Sequence, residues 1–571
     1  MTSVSINLKS AALFTIFFTS GLEYAHSSDI TNAVNKADQQ AIYQKSQIME
    51  KKDEITAGMR NGVQSHITTR KRLRDEDFSL PEDNPCWIIS NIVLDDKTHL
   101  LKLNAINGYL KKITRKCIGV NGVRELSRAI NNEFIDLGFI TTRVNLPKQN
   151  LTSGTLIFDV TPGIVGKVVS TNKSDYITLK TLIPTVSGDI LNLRDLERGK
   201  ENLQRVIGTQ SRIFLYPAKE FGKTDIVVQH SQDKYWHVGS WIDNEGNPGI
   251  SRYQAGSLLY LNNLTSLNDT FYISYAKNLG YNAGNIHKNR NYSFYYSVPL
   301  GYWDIEGYYS WANLNQKIDT SFSALNYDTF YQFAYGSLKR LLVHNSELRS
   351  SLNMALFYNK SWAELVGVPL KIQDKKSAGW KLSYLNDFTL SKADISTKIS
   401  YQNKEHWFGG TYVEKNHDIS YQGRVFSAEV FGNYPFRIKS EDFIYAVHLS
   451  GQASFDRLTT LDQFYLGSQW TVRGFDGRAS LSRDNGWFIQ NDLKWNVHRF
   501  NIQPYVGIDM GQVSGGNSQN IAQRTLAGSA IGVHGNGNGF AYHLYFGHPL
   551  TKIEEIKSHS FNSGFSFQWQ Y

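Results

Sequence analysis

From about Lys234 to Tyr571 the chain reads as one strand after another, with apolar and polar residues at alternate positions. Successive side chains of a strand point to opposite faces, so a period of two means two different surroundings. "FIYAVHLSGQASF" sets Phe443, Tyr445, Val447 and Leu449 against Ala446, His448 and Ser450. "SLNMALFYN" sets Leu352, Met354, Leu356 and Tyr358 against Asn353 and Asn359. Residues 487–497 set Trp487, Ile489, Leu493 and Trp495 against Gln490, Asp492, Lys494 and Asn496. The last segment, "FNSGFSFQWQY", puts Phe561, Phe565, Phe567, Trp569 and Tyr571 on one face.

A soluble sandwich of this length would need a two-sheet apolar core, yet the polar face here carries charge over more than 330 residues. A membrane barrel needs only the alternation, with lipid on one side and a wet lumen on the other. At roughly 20 residues per strand and loop, the segment predicts about 16 antiparallel strands. The closing strand must then pair with the first, leaving no free edge. Mean hydropathy is −0.38, the average that such alternation produces. No run of 18 apolar residues is present, which argues against a helical span.

The N-terminus has the marks of an export signal over residues 1–27: Lys9, then "AALFTIFFTSGL", then the small residues of "AHS". The alternative, a buried first helix, fits poorly with the charged, Gln-rich segment that follows. Residues 28–58 are rich in helix formers but lack a broad apolar face, the pattern of a solvated tail or of a helix in a polar cavity. Residues 59–84 read as a linker. The formal charge of +9 and "RKRLR" at 70–74 raise nucleic-acid binding, but "DED" follows at once and makes this a solvated stretch. Cys86 and Cys117 are the two cysteines; an even count in an exported chain favours a disulfide over a metal pair.

Between these ends lie two βααββ units, residues 85–162 and 163–232. In the first, "WIISNIVL" reads as a strand, and Val123, Leu126, Ile130, Phe134 and Leu137 make one apolar helix face. "ITTRVNL" and "GTLIFDVTPG" follow as strands. In the second, "IVGKVVS" is a strand and "NLRDLERGKENLQRVI" a helix capped by Asn192, with Asp195 in its first turn. "SRIFLYP" and "KTDIVVQH" complete it.

Two short stretches carry the mechanism. In "PYVGIDMG" (504–511), Gly507, Asp509 and Gly511 share one strand face, while Val506, Ile508 and Met510 share the other. Glycines beside a carboxylate leave space over the backbone for an incoming side chain. Arg473, in "WTVRGFDG" (470–477), can bind a carboxylate through two hydrogen bonds. Spacing alone favours their staying apart, as an ordinary exposed loop charge and an unpaired lumenal carboxylate.

These stretches resemble the VRGY/F loop (Val472, Arg473, Gly474, Phe475) and its barrel-strand partner in outer-membrane transporters with POTRA domains. Within that superfamily the chain resembles the two-partner secretion transporters, which include haemolysin activators, the filamentous haemagglutinin exporter and contact-dependent inhibition exporters. "NPCWIISNIVL" through "FDVTPG" resembles their first POTRA domain, cysteine pair included, and "LNLRDLERGKENLQRV" the second. "DNEGNPGISRYQAGSLLYLNN" resembles the start of their barrel. The resemblance implies one large exoprotein partner, bound by its N-terminal secretion domain and moved unfolded to the surface by a monomer in outer-membrane lipid. It also implies that residues 28–58 plug the lumen and that Arg473 pairs with Asp509.

No cofactor, metal or nucleic acid is expected. GxxxxGK[ST], HExxH and GxSxG are absent, and "GNGNGF" at 535–540 fits a hairpin turn better than a dinucleotide loop. An outer-membrane assembly factor of the same superfamily is the main alternative, but it usually carries more POTRA repeats and no plug helix. A barrel enzyme would need a nucleophile or acid pair clustered at the rim, and a passive porin has no use for two periplasmic units.

Overall fold

The computed structural model describes residues 45–56, 79–96, 98, 101, 104–172, 176–246, 252–279, 289–319, 324–345, 347–410, 423–477, 480–515, 524–551 and 561–571. The expected signal segment and the basic run at 70–74 lie outside the described residues, as do residues 28–44 of the expected plug. The first described element is helix α1 (residues 45–56).

The first βααββ unit contains β1 (Cys86–Ile89), β2 (Asn91–Asp95), α2 (Asn104–Lys111), β3 (Lys116–Gly119), α3 (Val120–Asp136), β4 (Arg143–Asn145) and β5 (Thr155–Thr161). Strand β5 lies between β2, to which it is parallel, and β4. Three details depart from expectation. "WIISNIVL" is two strands, because the amides of Ser90 and Asn91 both turn to the Gly154 carbonyl. A strand, β3, separates the helices and pairs with β1, bringing Cys86 and Cys117 into a disulfide. Leu137 falls just past the end of α3 and is 36% exposed, whereas Val123, Leu126, Ile130 and Phe134 are buried among Ile106, Leu110, Leu156 and Phe158.

The last residues of the expected linker belong to this unit. Leu80 packs on its core. The carboxylate of Asp83 accepts from the Gly122 amide (2.7 Å) and the Asn121 side chain (2.9 Å), capping α3 where Gly119 has no side chain to offer. The Gly122 amide holds that carboxyl below its usual range.

The second unit repeats the topology: β6 (Ile164–Ser170), α4 (Leu179–Leu182), α5 (Leu193–Gln204), β7 (Thr209–Pro217) and β8 (Lys223–Gln232), with β8 between β6 and β7. Asn192 caps α5 through the Arg194 amide, 2.9 Å. Helix α5 also fastens this unit to three turns of the domain that follows. Arg198 donates to the Gly301 carbonyl (2.8 Å) and to Asp304 (3.0 Å). Arg194 reaches the His344 carbonyl, and Asn268 caps the C-terminal end of α5 by donating to the Asn202 and Leu203 carbonyls.

That domain is a closed barrel. Its strands begin β9 (Trp236–Asp243), β10 (Gln254–Asn262), β11 (Thr270–Asn278), β12 (Arg290–Leu300), β13 (Trp303–Asp319), β14 (Ala324–His344) and β15 (Leu348–Leu365). The short β16 (Val368–Pro369) only extends a hairpin, and β17 (Lys375–Leu390), β18 (Ala393–Glu405), β19 (Val425–Ile438) and β20 (Glu441–Ser454) continue the wall. Next come the small hairpin strands β21 (Phe464–Leu466) and β22 (Leu481–Arg483). The wall ends with β23 (Asn485–Asn496), β24 (Ile502–Ser514), β25 (Thr525–Gly537), β26 (Phe540–Pro549) and β27 (Asn562–Gln570). Sixteen antiparallel wall strands result, and β27 pairs with β9 to close the ring.

Along β24 the alternation resolves into Val506, Ile508 and Met510 facing out, 55%, 63% and 44% exposed, and Tyr505, Asp509 and Val513 buried facing in. "GNGNGF" is a hairpin whose two-residue turn, Asn538–Gly539, has positive φ at both positions. No described helix is long and apolar enough to cross a membrane.

Candidate functional site

The described residues between β20 and β23, 455–477 and 480–484, fold back against the inward face of the wall instead of standing clear of it. Hairpin β21–β22 sets their base, and Val472 and Phe475 join Leu466, Leu481, Phe488, Val513 and Leu526 in one buried apolar cluster. These two side chains pin the tip, and Arg473 between them points at β24.

Arg473 and Asp509 are both buried, the carboxylate fully. The guanidinium donates from Nε to Oδ2 (2.8 Å) and from Nη2 to Oδ1 (2.6 Å), a two-pronged contact. The Arg473 backbone amide also donates to Oδ2, at 2.8 Å. Nη2 reaches a second carboxylate, Asp492 on β23, at 2.6 Å. The guanidinium also lies over the Tyr505 ring, 5.5 Å from its centre.

The wall under the tip is made of glycine. A Cβ on Gly528 would stand 1.7 Å from the Arg473 carbonyl oxygen, and one on Gly547 would stand 2.6 Å from the Gly474 amide nitrogen. A Cβ on Gly507 would meet Asp492 and the Arg473 guanidinium, and one on Gly511 would meet Leu466. Gly474 itself has φ +109°, which side chains rarely adopt. The structure therefore brings together Val472, Arg473, Gly474, Phe475, Gly507, Asp509 and Gly511. Cys86 and Cys117 sit apart, in the first periplasmic unit.

Sequence reasoning missed Asp492, Tyr505, Gly528 and Gly547. Asp492 had a usable signal, since it lies on the same polar face as Gln490, the register partner of Asp509. The two glycines had none, because they meet the loop only after the barrel closes.

Helix α1 lies in the same lumen. Lys51 reaches Asp243 on β9 (3.6 Å) and Glu54 (2.9 Å), and Lys52 sits 4.9 Å from the centre of the Tyr335 ring. Gln47 exchanges amide hydrogen bonds with Gln254. Lys45 donates to the Leu461 carbonyl at the base of the lumenal loop (2.9 Å) and lies 3.9 Å from Asp462, which Lys404 of the wall also binds. The helix is less polar in its contacts than expected: Ile48 packs on Ala312 and Tyr331, and Ile55 on inward-facing tyrosines. A cavity of about 40 Å³ remains on this side, against about 660 Å³ between Glu54 and the wall formed by β23–β27.

A sixteen-strand barrel with a lumenal arginine loop, led by two βααββ units of which the second is docked on its turns, defines an outer-membrane transporter of the POTRA class. The family model described as haemolysin secretion/activation protein ShlB/FhaC/HecB matches residues 222–535, a ShlB-type POTRA domain matches 87–163 and a second POTRA domain matches 164–217. The chain belongs to that family and is a two-partner secretion transporter of the outer membrane, with its POTRA domains in the periplasm. It is 27% identical over 523 residues to the outer membrane transporter CdiB-2 of Burkholderia pseudomallei, covering 86% of this chain and 88% of that one. With the haemolysin transporter protein ShlB of Serratia marcescens it shares 25% over 463 residues, 80% of each chain. The solved structure of CdiB from Acinetobacter baumannii superposes with a TM-score of 0.82 at 26% identity, over 94% of this chain and 99% of that one.

Proposed function

We propose that the protein recognises the N-terminal secretion domain of one large exoprotein, of haemolysin, adhesin or growth-inhibition toxin type, and passes that chain unfolded to the cell surface. The observation that carries this is the fixed geometry at the pore mouth. Strand β8 leads within a few residues into β9, and α5 is fastened to three periplasmic turns. A partner held on the second POTRA domain is thereby held at the lumen. The outer strands of the POTRA sheets, β2 and β4, β6 and β7, can accept an added strand through main-chain hydrogen bonds, which tolerate varied sequence.

In this reading α1 is the resting plug, and the Arg473–Asp509 pair holds the lumenal loop in its transport-competent place. Folding of the exoprotein outside supplies the driving force, so no nucleotide, cofactor or bond chemistry is used. One copy suffices, with the apolar outer faces against lipid. The test is co-expression with a large exoprotein that carries an N-terminal secretion domain of this type. Surface exoprotein that disappears on deletion of the transporter is expected. A general defect in outer-membrane protein assembly, with exoprotein export intact, would replace this reading by that of an assembly factor.

A further inference from the structure

Five neighbouring strands place a tyrosine at one register on the inward face. Tyr260 of β10 stands opposite Tyr272 of β11, which stands opposite Tyr295 of β12. Tyr295 in turn faces Tyr308 of β13, and Tyr308 faces Tyr335 of β14. Ring centres lie 6.0 Å apart for Tyr260 and Tyr272, 5.1 Å for Tyr272 and Tyr295, and 5.7 Å for Tyr308 and Tyr335. The inward positions around them carry small polar groups, Ser274, Ser293, Ser297 and Ser310 among them. One aromatic cluster therefore crosses this side of the lumen as a band, among small polar residues.

Part of this chain already lies on the band. Ile55 of α1 packs against it and Lys52 sits over its last ring, so an aliphatic side chain and a cation of a polypeptide both use these rings. We propose that the band is a contact site for the exported polypeptide, which lays apolar and aromatic side chains on the five rings once α1 has withdrawn. The inference rests on the transport reading above. Ring faces suit a moving, unfolded chain because they accept phenylalanine, leucine or, through cation–π attraction, lysine without demanding a sequence. Each contact is weak enough to be released as the next forms.

The test uses the full-length protein in planar bilayers. The probes are a Gly/Ser peptide bearing several phenylalanines and the same peptide with serines in their place, both added from the periplasmic side. In the wild type the phenylalanine peptide should occupy the open pore about 2- to 10-fold longer per event, the range expected of one ring contact. Tyr272→Ser with Tyr308→Ser should remove the difference, and Tyr272→Phe with Tyr308→Phe should keep it. The single change Tyr295→Ser should reduce it. Equal dwell times in the wild type, or a difference that survives the serine variants, would overturn the proposal. A rim of rings that serves only to brace the wall predicts that survival. If the exoprotein is exported while both peptides behave alike, the band alone is wrong; if the exoprotein is not exported, the transport reading has failed.

Discussion

Two segments share the lumen, and they are held in opposite ways. The lumenal loop tip is buried, bonded to one carboxylate by three donors and laid on glycines that admit nothing larger. Helix α1 reaches the wall through long lysines, two isoleucines and the Gln47–Gln254 exchange, with a cavity of about 660 Å³ beside Glu54. Tight packing and a buried bidentate pair fix one arrangement, because any displacement leaves a charge without its partner. Flexible ammonium groups over rings and carboxylates can let go one at a time and be rehydrated. On this difference rests the proposal that the loop stays in place and the helix leaves.

The largest expected effect comes from breaking the buried pair. Asp509→Ala strands the Arg473 guanidinium, a change that costs about 3–5 kcal/mol when a buried charge loses its partner. Exoprotein at the surface should fall about tenfold or more while heat-modifiable barrel still accumulates. Arg473→Ala should match it, and the double variant should be no worse than either single one; additive losses would show that the two residues are not coupled. A charge swap should fail to restore export, because the Arg473 amide needs an acceptor at position 509.

Next in size is a change that leaves every charge in place. Gly528→Ala puts a methyl group where the Arg473 carbonyl now lies, so the tip must lift. Export should drop nearly as far as in Arg473→Ala, and protease should cut the loop in outer-membrane fragments. A protected loop with normal export would mean that the glycine bed is dispensable.

On the helix side the effects shrink. Lys51→Met removes the ammonium 3.6 Å from the buried Asp243 carboxylate and should raise the frequency of open events in planar bilayers severalfold, because the stranded carboxylate is rehydrated once the helix leaves the wall, while export changes little. Unchanged conductance would mean that the helix is not what closes the pore. Smallest is Ile55→Ala, which trims one partly buried contact at a cost of about 1–2 kcal/mol and should shift opening only slightly. The matching change in the loop, Phe475→Ala, removes a fully buried ring worth about 3–5 kcal/mol, and its export defect should dwarf that of Ile55→Ala.

Much of the architecture was legible because it depends on local pattern. The two-residue period of β24 already separated Asp509 from Ile508, and the spacing of Val123, Leu126, Ile130 and Phe134 placed α3 on its core. What escaped depends on residues far apart in sequence. Strand β3 is four residues long and exists because β1 pairs with it. The bed formed by Gly528 and Gly547 has meaning only once β25 and β26 lie beneath the tip. The tyrosine band is invisible in any single strand, since each contributes one ring and only register aligns them. Helix α1 looked wholly polar because its two isoleucines are too few to form a stripe, yet each finds an aromatic partner on the wall.

The pairing of β27 with β9 has a consequence for how the molecule comes into being. The hydrogen bond from Asn244 to Ser563 at that seam spans 319 residues, whereas the β25–β26 hairpin turns in two. Relative to a loop of about ten residues, closing so long a chain segment costs roughly 3 kcal/mol more in entropy, at about 0.6 kcal/mol per doubling. Contacts of such long range also form slowly. Hairpins therefore zip first into an open, curled sheet, and the ring shuts last. In that interval β9 and β27 are both bare edges, able to pair with the wrong strand. The seam that seals the finished pore is the step at which a nascent one is most easily lost to aggregation.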